Sequence, residues 1–237
     1  MTDPEVLDRV RQMRERGSTP KQIARVLGLR PAQVAPLVRQ VAAATQERLA
    51  PPERKLLACR ISPGWSAGLG LDEAPGSVRA HSGDSDRDRP QGGLAGILIA
   101  RQDRGSRATV CGFLVDVYCL GVKNTLGPRP MGASEVDAFS RIFFATLGSP
   151  IDIPLAVAQH VVHGAVAYAR DLGFSPCEDF ADTAPYLGLP PTEPGSIRFG
   201  HDGVPLYYSG PYDDARTVVA TLESTAGAGN YHFVAGL

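Results

Sequence analysis

The densest group of chemically capable side chains lies in the segment GFLVDVYCLGVKNT, which carries Asp116, Tyr118, Cys119, Lys123 and Asn124. A carboxylate ending an apolar strand, with a lysine and an amide just beyond it, suits a metal-dependent nuclease or another phosphate-handling centre. Asp116 would hold a divalent cation and Lys123 would stabilise developing negative charge. The spacing matches no nuclease motif, and no second acid stands close by in the chain. The plainer reading is therefore that Asp116 caps a turn and Lys123 is solvated. His160 and His163 form a second pair. Three residues apart on a helix, they project from adjacent turns, a spacing at which two imidazoles can share a metal. Zinc needs two further ligands, and Cys177, His201 and His232 could supply them only if the fold gathers them. Otherwise the pair reads as surface or interface histidines.

Other polar positions carry less. His81 beside Ser82 has no acid or nucleophile elbow to frame it. The turn Ser209, Gly210, Pro211, Tyr212, Asp213, Asp214 leads into a helix with its acids placed for the helix dipole, a structural arrangement. No Walker loop, GxGxxG after a strand or HExxH is present, so no cofactor is expected.

A different chemistry is written in the first fifty residues. Ile23, Ala24, Leu27, Gly28, Leu29, Val34 and Leu37 fall at the offsets of a helix-turn-helix. Two helices meeting at a sharp angle need a small residue at the contact (Ala24), a residue tolerant of positive φ in the turn (Gly28) and apolar inner faces. The amphipathic segment Val6 to Arg16, with Leu7, Val10 and Met13 at helical spacing, closes a trihelical unit. Residues 18 to 40 resemble the helix-turn-helix of bacterial transcription regulators, whose second helix lies in the major groove. That resemblance implies that Arg30, Ala32, Gln33 and Arg39 are the exposed positions facing base edges, and that Lys21, Gln22 and Arg25 face phosphates. Arg30 stands where such helices usually carry a small hydroxyl cap, so the cap must come from elsewhere. Pro36 interrupts the backbone ladder of that helix. The same packing pattern also serves a trihelical protein-interaction module.

The elements that must position these groups divide at about residue 50. Helices are expected at 4–17, 20–28 and 31–48, with Thr19 as N-cap and Pro20 at the first helical position. Ala50, Pro51 and Pro52 end this domain, 1–50, and a larger domain spans 51–237. There, 53–61 extends as a strand turned by Ser62 to Trp65. Residues 74–93 hold almost no apolar side chain and read as a mobile loop. Leu94 to Arg101 and Arg107 to Cys119 are apolar, β-branched runs that read as a hairpin buried on at least one face. A helix with Ser134 as N-cap presents Val136, Phe139, Phe143 and Leu147 on one face. A second, about 154–172, carries Leu155, Ala158, Val162, Ala165, Val166 and Ala169 and closes at Gly173. Ile197 to Phe199 and Val204 to Tyr208 read as another hairpin, followed by a helix over 213–224 and a strand over 231–234. The fold class is α+β: a trihelical helix-turn-helix domain, then a larger domain with a mixed, mainly antiparallel sheet.

Charge is divided in the same way. The net charge of −1 hides a balance of +6 over residues 1–60 and −7 over 61–237. A basic helical head on an acidic body fits contact of the head alone with a polyanion. No run is apolar enough to span a membrane and the N-terminus lacks signal-peptide order, so no membrane partner and a cytoplasmic location are expected. The four scattered cysteines (Cys59, Cys111, Cys119, Cys177) fit reduced, buried thiols. The segments SPGWSAGLGLDE, FLVDVYCLGVKNTLGPRPM, AQHVVHGAVAYARDLGF and FGHDGVPLYYSGPYDD resemble those of uncharacterised bacterial proteins with an N-terminal helix-turn-helix. The resemblance implies one domain that travels with a DNA-binding head and no particular activity. The leading expectation is transcriptional control through DNA, with the larger domain sensing a small-molecule ligand or forming a homo-oligomer. The rivals are a metal-dependent nuclease or hydrolase delivered by the head, and a non-catalytic adaptor.

Overall fold

The computed structural model describes residues 6–7, 9–10, 12–13, 20–30, 33–34, 36–38, 54–71, 93–192 and 197–234. The chain forms two compact units, Met1–Pro51 and Pro52–Leu237. Thr19, Ala32, Arg39 and the polar stretch 74–92 lie outside the described residues. Among the described residues no helix is long and apolar enough to cross a membrane.

In the first unit, residues 6–7, 9–10, 12–13, 33–34 and 36–38 are helical, and helix α1 spans Pro20–Leu27. Val10, Ile23, Ala24 and Val34 are its buried centre, with Leu27, Leu29 and Leu37 packed against them. α1 ends in a Schellman motif. Gly28 takes φ +65°, and the Leu29 N–H reaches back to the Ala24 carbonyl at 3.0 Å, satisfying a carbonyl the helix leaves open.

The second unit is built on a five-stranded, wholly antiparallel sheet ordered β5-β4-β3-β1-β6. Its strands are β1 (Leu56–Ile61), β3 (Leu94–Gln102), β4 (Arg107–Asp116), β5 (Gly121–Gly132) and β6 (Ile151–Asp152). Strand alternation sorts side chains cleanly onto two faces. Ile61, Ile97, Ile99, Cys111, Phe113 and Val115 point to one face, where α3 (Leu155–Asp171) and α4 (Phe180–Leu187) cover them. Ala58, Leu98, Ala100, Ala108 and Val110 point to the other, under α2 (Val136–Phe143). Both faces are therefore dry, which is why β3 and β4 read as continuous apolar runs. Gly96 and Gly112 lie on the α2 side, and a Cβ on either would stand about 2.4–2.5 Å from Leu147 or Phe143.

Several local expectations change. Residues 121–132 form a long strand that the sequence does not announce, because Gly127, Pro128 and Pro130 break its pattern. The prolines are tolerated because β5 is an edge strand with one side free of ladder bonds. Ser134 is not an N-cap: a 3-10 turn over Ala133–Glu135 precedes α2, and Glu135 Oε2 accepts the Gly132 N–H at 2.6 Å. α4 is an additional helix, carrying Pro185 inside it. The expected hairpin over 197–208 is absent. β7 (Ile197–Arg198) pairs with β2 (Gly70–Leu71), whereas β8 (Leu206–Tyr208) runs parallel to β9 (His232–Val234). Only a single bridge, His201 to Val204, spans the intervening turn. α5 (Ala215–Thr225) begins at Asp214, whose side chain accepts the Thr217 N–H. The result is a mixed α and β unit with a mainly antiparallel sheet.

Candidate functional site

In the first unit, Gln22, Arg25, Arg30 and Gln33 are exposed, while the side chains of Lys21 and Arg39 are outside what the structure describes. Gln33 answers the question of the cap. Its Oε1 accepts the backbone N–H of Arg30 at 3.0 Å, and the Arg30 carbonyl accepts the N–H groups of Gln33 and Val34 at 2.9 and 3.2 Å. A glutamine three residues into a helix does what a capping-box acid does, satisfying a donor the helix start leaves open. The amide oxygen of Gln33 is thus engaged, on a side chain that is exposed. Arg30 keeps a solvent-facing guanidinium on the same helix start.

In the second unit, Asp116 ends β4 and is buried. Its Oδ1 accepts the N–H groups of Tyr118 at 2.9 Å and Cys119 at 3.0 Å, closing the turn that carries the chain into β5. Burial pushes its pKa up to about 6, against the pull of those N–H groups and of the Lys123 ammonium. Lys123 occupies a β-bulge. Leu114 pairs with Asn124 and Val115 with Val122, so Lys123 is the extra residue, and a bulge re-aims the side chain it carries. That side chain meets Asp213, with Nζ donating to Oδ2 at 2.7 Å, and both groups are largely buried. Asp213 Oδ2 also accepts the Gly210 N–H at 2.9 Å and the Tyr207 hydroxyl at 3.4 Å. Burial works to raise the Asp213 carboxyl, but Lys123 and these donors hold it below the ordinary carboxylate range.

An acid thus reaches Lys123 from the turn before α5, where sequence reasoning assigned Asp213 only to the helix dipole. No short-range signal marks it. The charges in this cluster are spent on each other and on the backbone: Asp116 secures a turn, and the Lys123–Asp213 pair fastens the 209–213 turn to β5. Nearby, Cys119 is buried and its thiol is pushed up by burial, and the Tyr168 hydroxyl is buried without a hydrogen-bond partner among the described residues.

The histidine pair is separated by role. His163 is half-buried, and its Nε2 lies 3.0 Å from the Gly188 carbonyl. One turn earlier Gln159 Nε2 donates to the Leu187 carbonyl at 3.0 Å. Together they satisfy the last carbonyls of α4, which has no basic side chain in its final turn. Among the described residues His160 makes no such contact. His201 instead packs edge-on to Tyr118, with ring centroids 5.2 Å apart, and pairs with Asp202 at 3.2 Å. His232 is on β9, and Cys177 Sγ faces Thr125. Among the described residues no three or more His, Cys, Asp or Glu side chains gather as metal ligands. The thiols of Cys59 and Cys111 are both pushed up to about 12 by burial, and all four cysteines are free.

Compared with known protein families, with curated proteins and with solved structures, the chain finds no match in any of the three.

Proposed function

We propose that the chain is a DNA-binding protein, a transcriptional regulator whose N-terminal helix-turn-helix meets the duplex. Its larger unit would sense a ligand or hold an oligomer together. The observation that carries this reading is the end of α1: a Schellman turn at Gly28 with Ala24 buried beneath it. It delivers the chain to a second helical segment whose first polar residues, Arg30 and Gln33, are exposed. The +4 balance of Met1–Pro51 against −5 for Pro52–Leu237 supports it, because phosphate contacts draw on local positive charge. In this reading Arg30, Gln33 and Arg39 face base edges, and Lys21, Gln22 and Arg25 face phosphates. Lys21 and Arg39 are assigned from sequence position alone.

The test is enrichment of random duplexes by the full-length protein, followed by a salt series on the recovered sequence. The reading expects a motif and an affinity that falls steeply with salt. Arg30→Ala should cost about 1–3 kcal/mol on that motif and far less on random DNA, whereas Arg25→Ala should weaken both alike. No binding at any salt would leave a protein-interaction module in its place.

A further inference from the structure

The β3–β4 hairpin ends in a tightly held loop. The Asp103 N–H donates to the Arg107 carbonyl at 2.9 Å, and Gln102 Nε2 donates to the Gly105 carbonyl at 3.1 Å. The Ser106 carbonyl accepts the Ala133 N–H at 2.8 Å. Gly105 takes φ +65°, which lets the loop turn so sharply. Between this loop, Arg54 ahead of β1 and Tyr186 of α4 lies a cleft of about 750 Å³, contained wholly within Pro52–Leu237. Arg54, Arg104 and Arg107 line it against a single acid, Asp103.

That acid is already committed. Asp103 Oδ1 accepts Arg54 Nη1 at 2.6 Å and its Oδ2 accepts the Thr109 hydroxyl at 2.7 Å. Arg54 also lies over the Tyr186 ring, 5.7 Å from its centroid. Arg104 and Arg107 are exposed, and no acid among the described residues pairs with either. The cleft wall therefore carries two more positive charges than negative ones, in a unit, Pro52–Leu237, that is net negative by five. A fold that concentrates guanidinium groups on a rigid loop beside a concavity, against its own background charge, is arranged for an oxyanion. Guanidinium forks match phosphate oxygens two at a time. The volume exceeds what an inorganic ion fills and falls in the range of small-molecule sites.

We propose that this cleft binds a small phosphate-bearing molecule. Arg104 and Arg107 take the phosphate oxygens, and the organic part lies between Thr109 and Tyr186. The inference concerns Pro52–Leu237 and stands whether or not the N-terminal unit meets DNA.

The experiment is a ³¹P NMR titration of the full chain with inorganic phosphate and with adenosine monophosphate, at ionic strength fixed with sodium chloride. Saturable binding is expected for both, tighter for the nucleotide. It should weaken about tenfold or more in Arg104→Ala/Arg107→Ala, as loss of charge-assisted bonds implies, and stay unchanged in Arg170→Ala, an exposed arginine on α3. Both altered side chains are on the surface, and thermal melting of the variants checks that the fold is intact. Absence of saturable binding by either probe overturns the proposal, as does binding that the double substitution leaves unchanged. If neither probe binds but the double variant loses affinity for duplex DNA, the loop arginines serve a nucleic-acid backbone and the small-ligand assignment falls.

Discussion

Lys123 Nζ donates to Asp213 Oδ2 at 2.7 Å, joining a bulged residue of β5 to the turn that precedes α5, ninety positions later in the chain. The pair helps hold the 209–213 turn in place: the same carboxylate oxygen accepts the Gly210 N–H and the Tyr207 hydroxyl, while the Ser209 N–H donates to the Val234 carbonyl.

Removing one partner leaves the other charge poorly solvated. Lys123→Met should lower unfolding stability by about 1.5–3 kcal/mol, and Lys123→Met/Asp213→Asn should recover part of it, because the orphaned carboxylate is gone. Asp213 is held below its ordinary value of 3.8. The stability it contributes is therefore present above about pH 4 and lost as pH falls through the lower folded value. Urea midpoints of the three proteins at pH 7 and pH 3 decide this; equal midpoints for Lys123→Met and the native chain at pH 7 would contradict it.

Asp116 behaves oppositely. Its folded pKa of about 6 lies above the ordinary 3.8, so the ionised form costs stability above pH 6 and the cost disappears as pH falls towards 4. Asp116→Asn keeps an oxygen for the Tyr118 and Cys119 N–H groups and discards the buried charge. It should be more stable than the native chain at pH 7 by on the order of 1–3 kcal/mol, with a flatter profile between pH 4 and 6. Asp116→Ala, which strands both donors, should be destabilised by a similar amount. Melting curves across pH separate the two variants.

His163 is held below 6.5 because burial disfavours the imidazolium, an effect that its hydrogen bond to Gly188 only partly offsets. The neutral ring donates Nε2–H to that carbonyl, so the stability it contributes is complete above about pH 6.5. That contribution is lost as pH falls through the folded value. His163→Gln should remove this component of the acid sensitivity; hydrogen exchange of the α4 amides at pH 7.5 and 5 would report it. An unchanged pH response in the variant would show that the imidazole does not titrate against α4.

Gln33 allows capping and base reading to be separated. Gln33→Glu keeps an acceptor for the Arg30 N–H but cannot donate to adenine N7, so the first unit should melt as before while preference within the recovered DNA motif is lost. Gln33→Leu should lose preference and also cost about 0.5–2 kcal/mol, the usual worth of a helix-start cap. Motif preference retained by the glutamate variant would move base reading away from this residue.

Gly112 is a packing requirement. A Cβ there would meet the Phe143 ring at 2.5 Å, so Gly112→Ala should cost about 1–3 kcal/mol through displacement of α2 from the sheet. Gly28→Ala meets no atom within 4 Å and should cost only the left-handed backbone, about 1 kcal/mol. Thermal denaturation of the two variants should rank them in that order.

Much of the scaffold was legible because the signals are local. The β-branched runs over 94–119 are a hairpin, and the stripes of α2 and α3 are the faces that bury. Gly28 carries the positive φ its position called for. β5 was not legible, because glycine and proline in its second half erase the strand pattern and only its place at the sheet edge makes them harmless. The split of 197–208 was hidden for a related reason: two short apolar runs around a His-Asp-Gly turn look alike whether they pair with each other or with distant strands.

The amino-acid order by itself determined where the chain is apolar, where it turns and how charge divides between its head and body, since periodicity, turn chemistry and net charge are carried by neighbours in sequence. Tertiary structure decided what the polar residues are for. Lys123 finds Asp213, His163 finds the end of α4, and Arg54 commits Asp103, leaving Arg104 and Arg107 on the wall of a cleft. Those partners stand on elements that only the closed sheet brings together. A side chain's partner across a closed loop leaves no trace in its own neighbourhood of the sequence.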